Sequence, residues 1–323
     1  MLLGKIRNSL LVMLVAFLSL GCFEQDEAVQ PFPRGGSVEQ VIPLGNFYNS
    51  QLFFDLGTNA IVRTNSKMLW DLAFSCDGNQ VLRLNSGRNM RAAYSDALNF
   101  EDVMDTAGLR FTWDWAHGRA DSSALFGWQN HQGIVVINMG YDEENKTLGF
   151  VKLKLTVQGE NLEVEYAPLG ESTSSTLLLQ PDEKFNYVHA SFLNDEVLQA
   201  EPPKTSYDIL FTQYIHYFHE EKLAYLVVGA LKNPYQTKLT KEFSIPFDSI
   251  GVDYLSRISW NEDADAIGYD WKYFNLGEGT YVVLDKQNYL LQDSEGFYYK
   301  LHFTGFYDRN GVKGFPTIAF QKI

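Results

Sequence analysis

The chain offers six histidines, His117, His131, His189, His216, His219 and His302, as its best metal or haem-iron ligands. Only His216 and His219 are close together, in Tyr214-Ile215-His216-Tyr217-Phe218-His219-Glu220-Glu221. A neutral imidazole ligates haem iron or zinc, and rings such as Tyr214 and Tyr217 stack on flat ligands. On a straight strand a spacing of three puts the two histidines on opposite faces, so shared ligation needs a turn at Phe218 to Glu220. Without that turn they are strand-end or hairpin histidines that only form hydrogen bonds. His216 is the first candidate for an axial ligand.

Glu262, Asp263, Asp265 and Asp270 form an acidic run whose alternating spacing suits calcium, but the glycine and terminal glutamate of an EF-hand loop are out of place. A solvated acidic loop is the simpler reading. The two cysteines, Cys22 and Cys76, supply neither a disulfide framework nor a paired CxxC zinc site. Cys76, beside a strand end, reads as an inert buried thiol. No CxxCH is present for covalent haem, and there is no GxSxG, HExxH, P-loop or dinucleotide fingerprint. The chain therefore reads as a binding protein and not an enzyme, with no metal site of its own.

Its 26 basic and 40 acidic residues give a net charge of −14, which disfavours nucleic acid as a partner. With 45% hydrophobic and 15% aromatic residues it can build a large core. Lys5 and Arg7 precede an apolar stretch from Leu10 to Leu20 that is too short to span a membrane and fits an export signal. That stretch ends in Ser19-Leu20-Gly21-Cys22, which resembles a bacterial lipobox, with Ser19 where a branched aliphatic residue is usual. Residues 1–21 are expected to be removed and Cys22 to be lipidated, leaving 24 − 40 = −16 charges. Acyl chains hold a protein at a membrane without a spanning helix. Residues 22–40, with Pro31, Pro33, Gly35 and Gly36, read as a flexible tether. Glu24 to Glu27 resembles the acidic signal that sends Bacteroidetes lipoproteins to the outer face of the outer membrane.

These residues need a scaffold, and its period is two. Val151 to Val157 alternates apolar and polar residues, turns at Gln158 to Asn161, and resumes with Leu162, Val164 and Tyr166. Asn310-Gly311 is a second hairpin signal, of type I′. Ser95 to Asp105 is the best short helix, with Asn99 as N-cap. The fold class is therefore all-β and mostly antiparallel. An internal echo divides it: Trp70-Asp71-Leu72-Ala73-Phe74 matches Tyr207-Asp208-Ile209-Leu210-Phe211 at an offset of 208 − 71 = 137. Val135 to Asn138 matches Val282 to Asp285 at 147, and Lys152-Leu153 matches Lys300-Leu301 at 148. The body at 41–323 thus reads as two half-repeats, about 41–170 and 171–323, with Asp71 and Asp208 in structural roles.

Several segments carry a family signature. Gln51 to Leu56, Leu69 to Phe74, Val81 to Gly87, Tyr207 to Tyr214, Tyr225 to Leu231, Asp270-Trp271-Lys272, Tyr298 to Phe303 and Gly314 to Phe320 together resemble the HmuY-like family of Bacteroidetes lipoproteins. The resemblance implies an all-β fold, a lipid anchor at the outer membrane, and surface capture of haem for a TonB-dependent receptor. It also implies two axial histidines, one of which falls at Leu276, a residue that cannot ligate iron. Methionine ligation, used by related members, finds only Met139 between Asp105 and Ile323. The ligand set expected here is accordingly His216 and His219 with Tyr214 and Tyr217. The alternative is a non-haem scaffold lipoprotein that recognises a protein or a glycan.

Overall fold

The computed structural model describes residues 35–323. The leader, Cys22 and the tether to Arg34 lie outside the described residues. Four main antiparallel sheets carry the body, and the helical segments among the described residues are short 3-10 turns.

The first sandwich joins two sheets. One has the order β10-β9-β8-β7-β6, from β10 (Ser175–Leu179), β9 (Asn161–Pro168), β8 (Phe150–Gln158), β7 (Val135–Asn138) and β6 (Arg91–Tyr94). The other has the order β12-β11-β4-β5, from β12 (Glu196–Leu198), β11 (Tyr187–Ser191), β4 (Leu72–Ser75) and β5 (Leu82–Leu84). Alternate residues of both, among them Leu72, Phe74, Leu153, Leu162, Val164 and Val188, interdigitate as one core.

The second sandwich is built alike. Its outer sheet runs β1-β20-β19-β18-β15, from β1 (Val38–Val41), β20 (Lys313–Lys322), β19 (Tyr298–Tyr307), β18 (Asn288–Gln292) and β15 (Lys238–Glu242). Its inner sheet runs β3-β2-β13-β14, from β3 (Ala60–Ser66), β2 (Ser50–Asp55), β13 (Ile209–Phe218) and β14 (Leu223–Lys232). Leu52, Phe54, Ile209 and Phe211 pack there against Tyr289, Leu301, Ile318 and Phe320. A separate hairpin, β16 (Lys272–Asn275) with β17 (Thr280–Val283), stands beside it. The two inner sheets, β12-β11-β4-β5 and β3-β2-β13-β14, lie back to back, bonded by Trp70 Nε1–H donating to Gln51 Oε1 at 3.0 Å.

The sandwiches share a strand order but not a stretch of chain. β1 to β3, at the start of the body, complete the second sandwich, while β10 to β12 complete the first. One polar motif recurs where the strands cross over. Asp71 N–H donates to Ala190 O at 2.8 Å and its carboxylate accepts Phe192 N–H at 2.6 Å. Asp208 does the same with Phe54 O at 2.9 Å and Leu56 N–H at 2.8 Å. The Asn85 amide donates to Lys67 O and Trp70 O at 2.7 and 2.8 Å, and Asn233 to Lys204 O and Tyr207 O at 2.7 Å each. Asp71 and Asp208 are structural, as the sequence reading expects, each fixing the backbone of a distant strand. Only Asp71 has a cation beside it, the buried Arg88.

Three local expectations need correction. The expected tether runs to Gln40, but β1 begins at Val38, because Val38 to Val41 find a ladder on β20. Ser95 to Asp105 holds a single 3-10 turn, Phe100–Asp102, since the Asn99 amide bonds the Asp102 carboxylate and caps no backbone N–H. The Asn310-Gly311 hairpin exists, yet Tyr307 pairs Lys313 across a five-residue loop and only Gly311 has positive φ, at 77°. Asp308 Oδ1 organises that loop by accepting from Asn310 N–H and Val312 N–H, both at 2.8 Å. The echo of Val135 to Asn138 at Val282 falls on β17, whereas the place of β7 in the second sandwich belongs to β18.

Candidate functional site

β13 and β14 form a long hairpin paired from Ile209 with Lys232 to Phe218 with Leu223. β13 ends at Phe218 and the chain turns through 219–222, with Lys222 at φ 52°. The ladder runs straight through Phe218, so His216 and Tyr217 project to opposite faces of β13 and His219 stands in the turn itself. Both histidines and Tyr217 line an open bowl of about 440 Å³. Its other walls come from the loop carrying Trp115 and His117 and from the acidic segment with Asp263 and Asp265. These two walls are tied by Ala264 N–H donating to His117 O at 2.8 Å.

The bowl has an aromatic floor. Trp115 and Tyr217 lie parallel, 2° apart in plane with centroids at 5.9 Å. His219 meets both edge-on, at 4.9 Å from Trp115 and 5.1 Å from Tyr217. His216 sits to one side, 4.8 Å from both Tyr269 and Phe218. Trp115 is 41% exposed, so the part of its ring that Tyr217 does not cover can take a planar partner. Burial, the main influence, lowers the pKa of His216, against the opposing pull of Asp265 and Asp270. It is thus neutral at pH 7, the form that binds a metal. His117 is also lowered, by burial and then by Arg119, but its Nδ1 accepts from Arg119 N–H and Nε–H at 3.3 and 3.2 Å. That leaves His117 Nε2 protonated, a donor to a ligand and not a lone pair for iron.

His216, His219 and Tyr217 all line the bowl, His219 packing with Tyr217 and Trp115 and His216 with Phe218 and Tyr269. Tyr214 does not: it is 1% exposed, its hydroxyl is unpartnered, and it lies in the interior away from the bowl. Trp115 and His117 were missed as bowl residues, because they sit about a hundred positions from the hairpin and no local pattern links them. Glu220, Glu221, Asp263 and Asp265 give the rim a negative charge. The acidic segment remains a loop, and among the described residues no group of three or more His, Cys, Asp and Glu is placed to hold a metal ion. Cys76 is buried, and burial pushes its thiol up to about 11, so it is inert as expected. Leu276, where an axial ligand would fall, is 89% exposed at the tip of the β16–β17 hairpin.

The sequence profile of the HmuY protein family matches residues 47–320, nearly all of the two sandwiches. The chain belongs to the HmuY protein family. Solved structures similar to this HmuY-family chain include apo PinO from a Porphyromonas, at 8% identity and a TM-score of 0.36, covering 90% of this chain and 98% of that one. The apo HmuY analog of Tannerella forsythia shares 10% identity at a TM-score of 0.26, with the same coverage. A protein from Bacteroides vulgatus described as HmuY-like and heme binding shares 16% identity at 0.22, over 40% of this chain and 80% of that one. No curated protein matches the sequence. Among the described residues no helix is long and apolar enough to cross a membrane.

Proposed function

We propose that this HmuY-family chain captures haem, or a ligand of the same flat shape, non-covalently in the bowl at the β13–β14 turn. The observation that carries this reading is the parallel Trp115–Tyr217 floor with His216 and His219 beside it. The porphyrin plane would lie on the floor, and His216, neutral at pH 7, would give its lone pair to the iron. His219 is the second axial candidate, and His117 Nε2–H would donate a hydrogen bond to a peripheral group. The acidic rim repels carboxylates, so the two propionates of haem would point to solvent.

In this reading Cys22 is lipidated, the tether holds the body at the outer face of the outer membrane, and the ligand passes to a TonB-dependent receptor. We also propose that 41–170 and 171–323 are two copies of one β unit. The matched sheet orders and the repeated Asp–Asn motif support that reading.

Titration of residues 23–323 with haemin, followed at the Soret band, tests the main claim. The expected result is a saturable shift at micromolar protein whose low-spin signature is lost in His216→Ala. An unshifted spectrum would remove haem as the ligand, and an unchanged spectrum in the variant would remove His216 as the ligator. The acidic rim favours a second reading, a glycan, because Trp115 can stack on a sugar face while Asp263, Asp265 and Glu220 accept from hydroxyls. Saturable glycan binding, lost in Trp115→Ala and without a haemin shift, would select it.

A further inference from the structure

The two inner sheets enclose a second cavity, distinct from the bowl in its volume and chemistry. It measures about 190 Å³ and is lined mainly by apolar surface from both sandwiches. Phe53 and Leu210 come from the β2 and β13 side, Trp70 and Ala73 from the β4 side. Polar side chains that line it and are nine-tenths buried or more include Gln51, His189 and the cation Lys232. Gln51 is 4% exposed, and its Oε1 is committed to the Trp70 indole. His189 is 4% exposed, and its Nδ1 accepts the Ala200 N–H at 3.4 Å. With Nδ1 accepting, the proton of the neutral ring is on Nε2. Neither His189 Nε2–H nor the Gln51 amide N–H has an acceptor among the described residues. The nearby carboxylate of Glu201 is already filled by Tyr187 N–H at 2.6 Å and the Tyr207 hydroxyl at 3.1 Å. The cavity thus presents unused donors within aromatic walls, and its two acids, Glu201 and Asp114, are engaged, Asp114 by the Leu84 and Ala124 N–H groups.

We propose that this inter-sheet cavity binds a small, flat ring compound carrying a carbonyl oxygen, which accepts hydrogen bonds from His189 and Gln51. A cavity of about 150 Å³ holds benzene, so this one admits roughly two fused rings and excludes a porphyrin. The donors select the ligand class, since an apolar ring of the same size would leave them desolvated and unpaired. An ammonium would meet the buried Lys232 side chain, which lines the same cavity. Trp115 and Ala116, which line both the cavity and the bowl, mark the way in. The proposal does not depend on haem, because none of its donors lies in the bowl.

Calorimetric titration of the full chain with coumarin, and with naphthalene as the acceptor-free control, tests it. One coumarin should bind per chain, on the order of tenfold tighter than naphthalene. His189→Phe should erase that preference, and Ala73→Leu, which fills the cavity, should abolish binding of both while leaving the response to haemin unchanged. Should Ala73→Leu fail to fold, Leu231→Phe from the opposite wall repeats the measurement. Lack of saturation by coumarin, equal affinity for naphthalene, or full binding in the cavity-filling variant would each overturn the proposal, the last by placing coumarin in the bowl.

Discussion

Asp71 and Asp208 hold equivalent places in the two sandwiches but meet different electrostatics. Asp71 is neutralised by Arg88, whereas Asp208 faces Asp55 and Asp293 and has no cation beside it. Burial first, and then the two like charges, raise the Asp208 carboxyl from 3.8 to about 7 against the lowering pull of the Leu56 N–H. The folded state therefore holds a proton that the unfolded chain releases near pH 3.8. This contribution to stability is complete below pH 3.8 and is lost as pH rises to about 7. Asp208→Asn keeps an acceptor for Leu56 N–H and cannot ionise. Urea unfolding should find it more stable than the parent by about 2 kcal/mol at pH 8, with the gain shrinking toward zero near pH 4. A gain independent of pH would contradict the assignment. The residue types of the bowl were partly readable: His216, Tyr217 and His219 stand in one short run with a turn at its end. The run could not tell that Tyr214 points to the interior, since strand twist and the covering 261–270 segment set its burial.

Single strands were legible where one face is wet. The alternation in β8 and β9 survives as a paired hairpin from Val151 with Pro168 to Gln158 with Asn161. Alternation names a strand without naming its partner, so the pairing of β1 to β3 with β13 to β20, across the whole of β4 to β12, was not readable. β2 is adjacent in the chain to β3, but its other neighbour is β13, more than 150 residues on, through Phe54 with Ile209. This interlocking has a mechanical consequence. If a protease site is inserted at the exposed turn around Gly170 and cut, the two fragments should remain together, because each sandwich contains strands from both. Denaturing gels should then show two pieces and size-exclusion chromatography one particle. Two species separating without denaturant would contradict this strand assignment.

At the scale of the molecule, four sheets stack in two sandwiches with a donor-lined cavity between the inner pair and an aromatic bowl at one hairpin end. Composition announced an acidic, sheet-rich body, and the family signature, read over about 41–323, is matched by the family over residues 47–320. The bowl as a place was hidden, because Trp115, His219 and Asp263 reach it from three distant parts of the chain. The net charge of −14 adds to the local rim in disfavouring anionic ligands that bury their charge, so any haem must bind through its ring and iron. A crystal structure of the chain grown with haemin tests that claim most directly. The account predicts a porphyrin against the Trp115 and Tyr217 rings, its iron bonded to His216 or His219 and its propionates in solvent. Haem seated at the β16–β17 hairpin around Leu276, or no haem in the crystal, would contradict it.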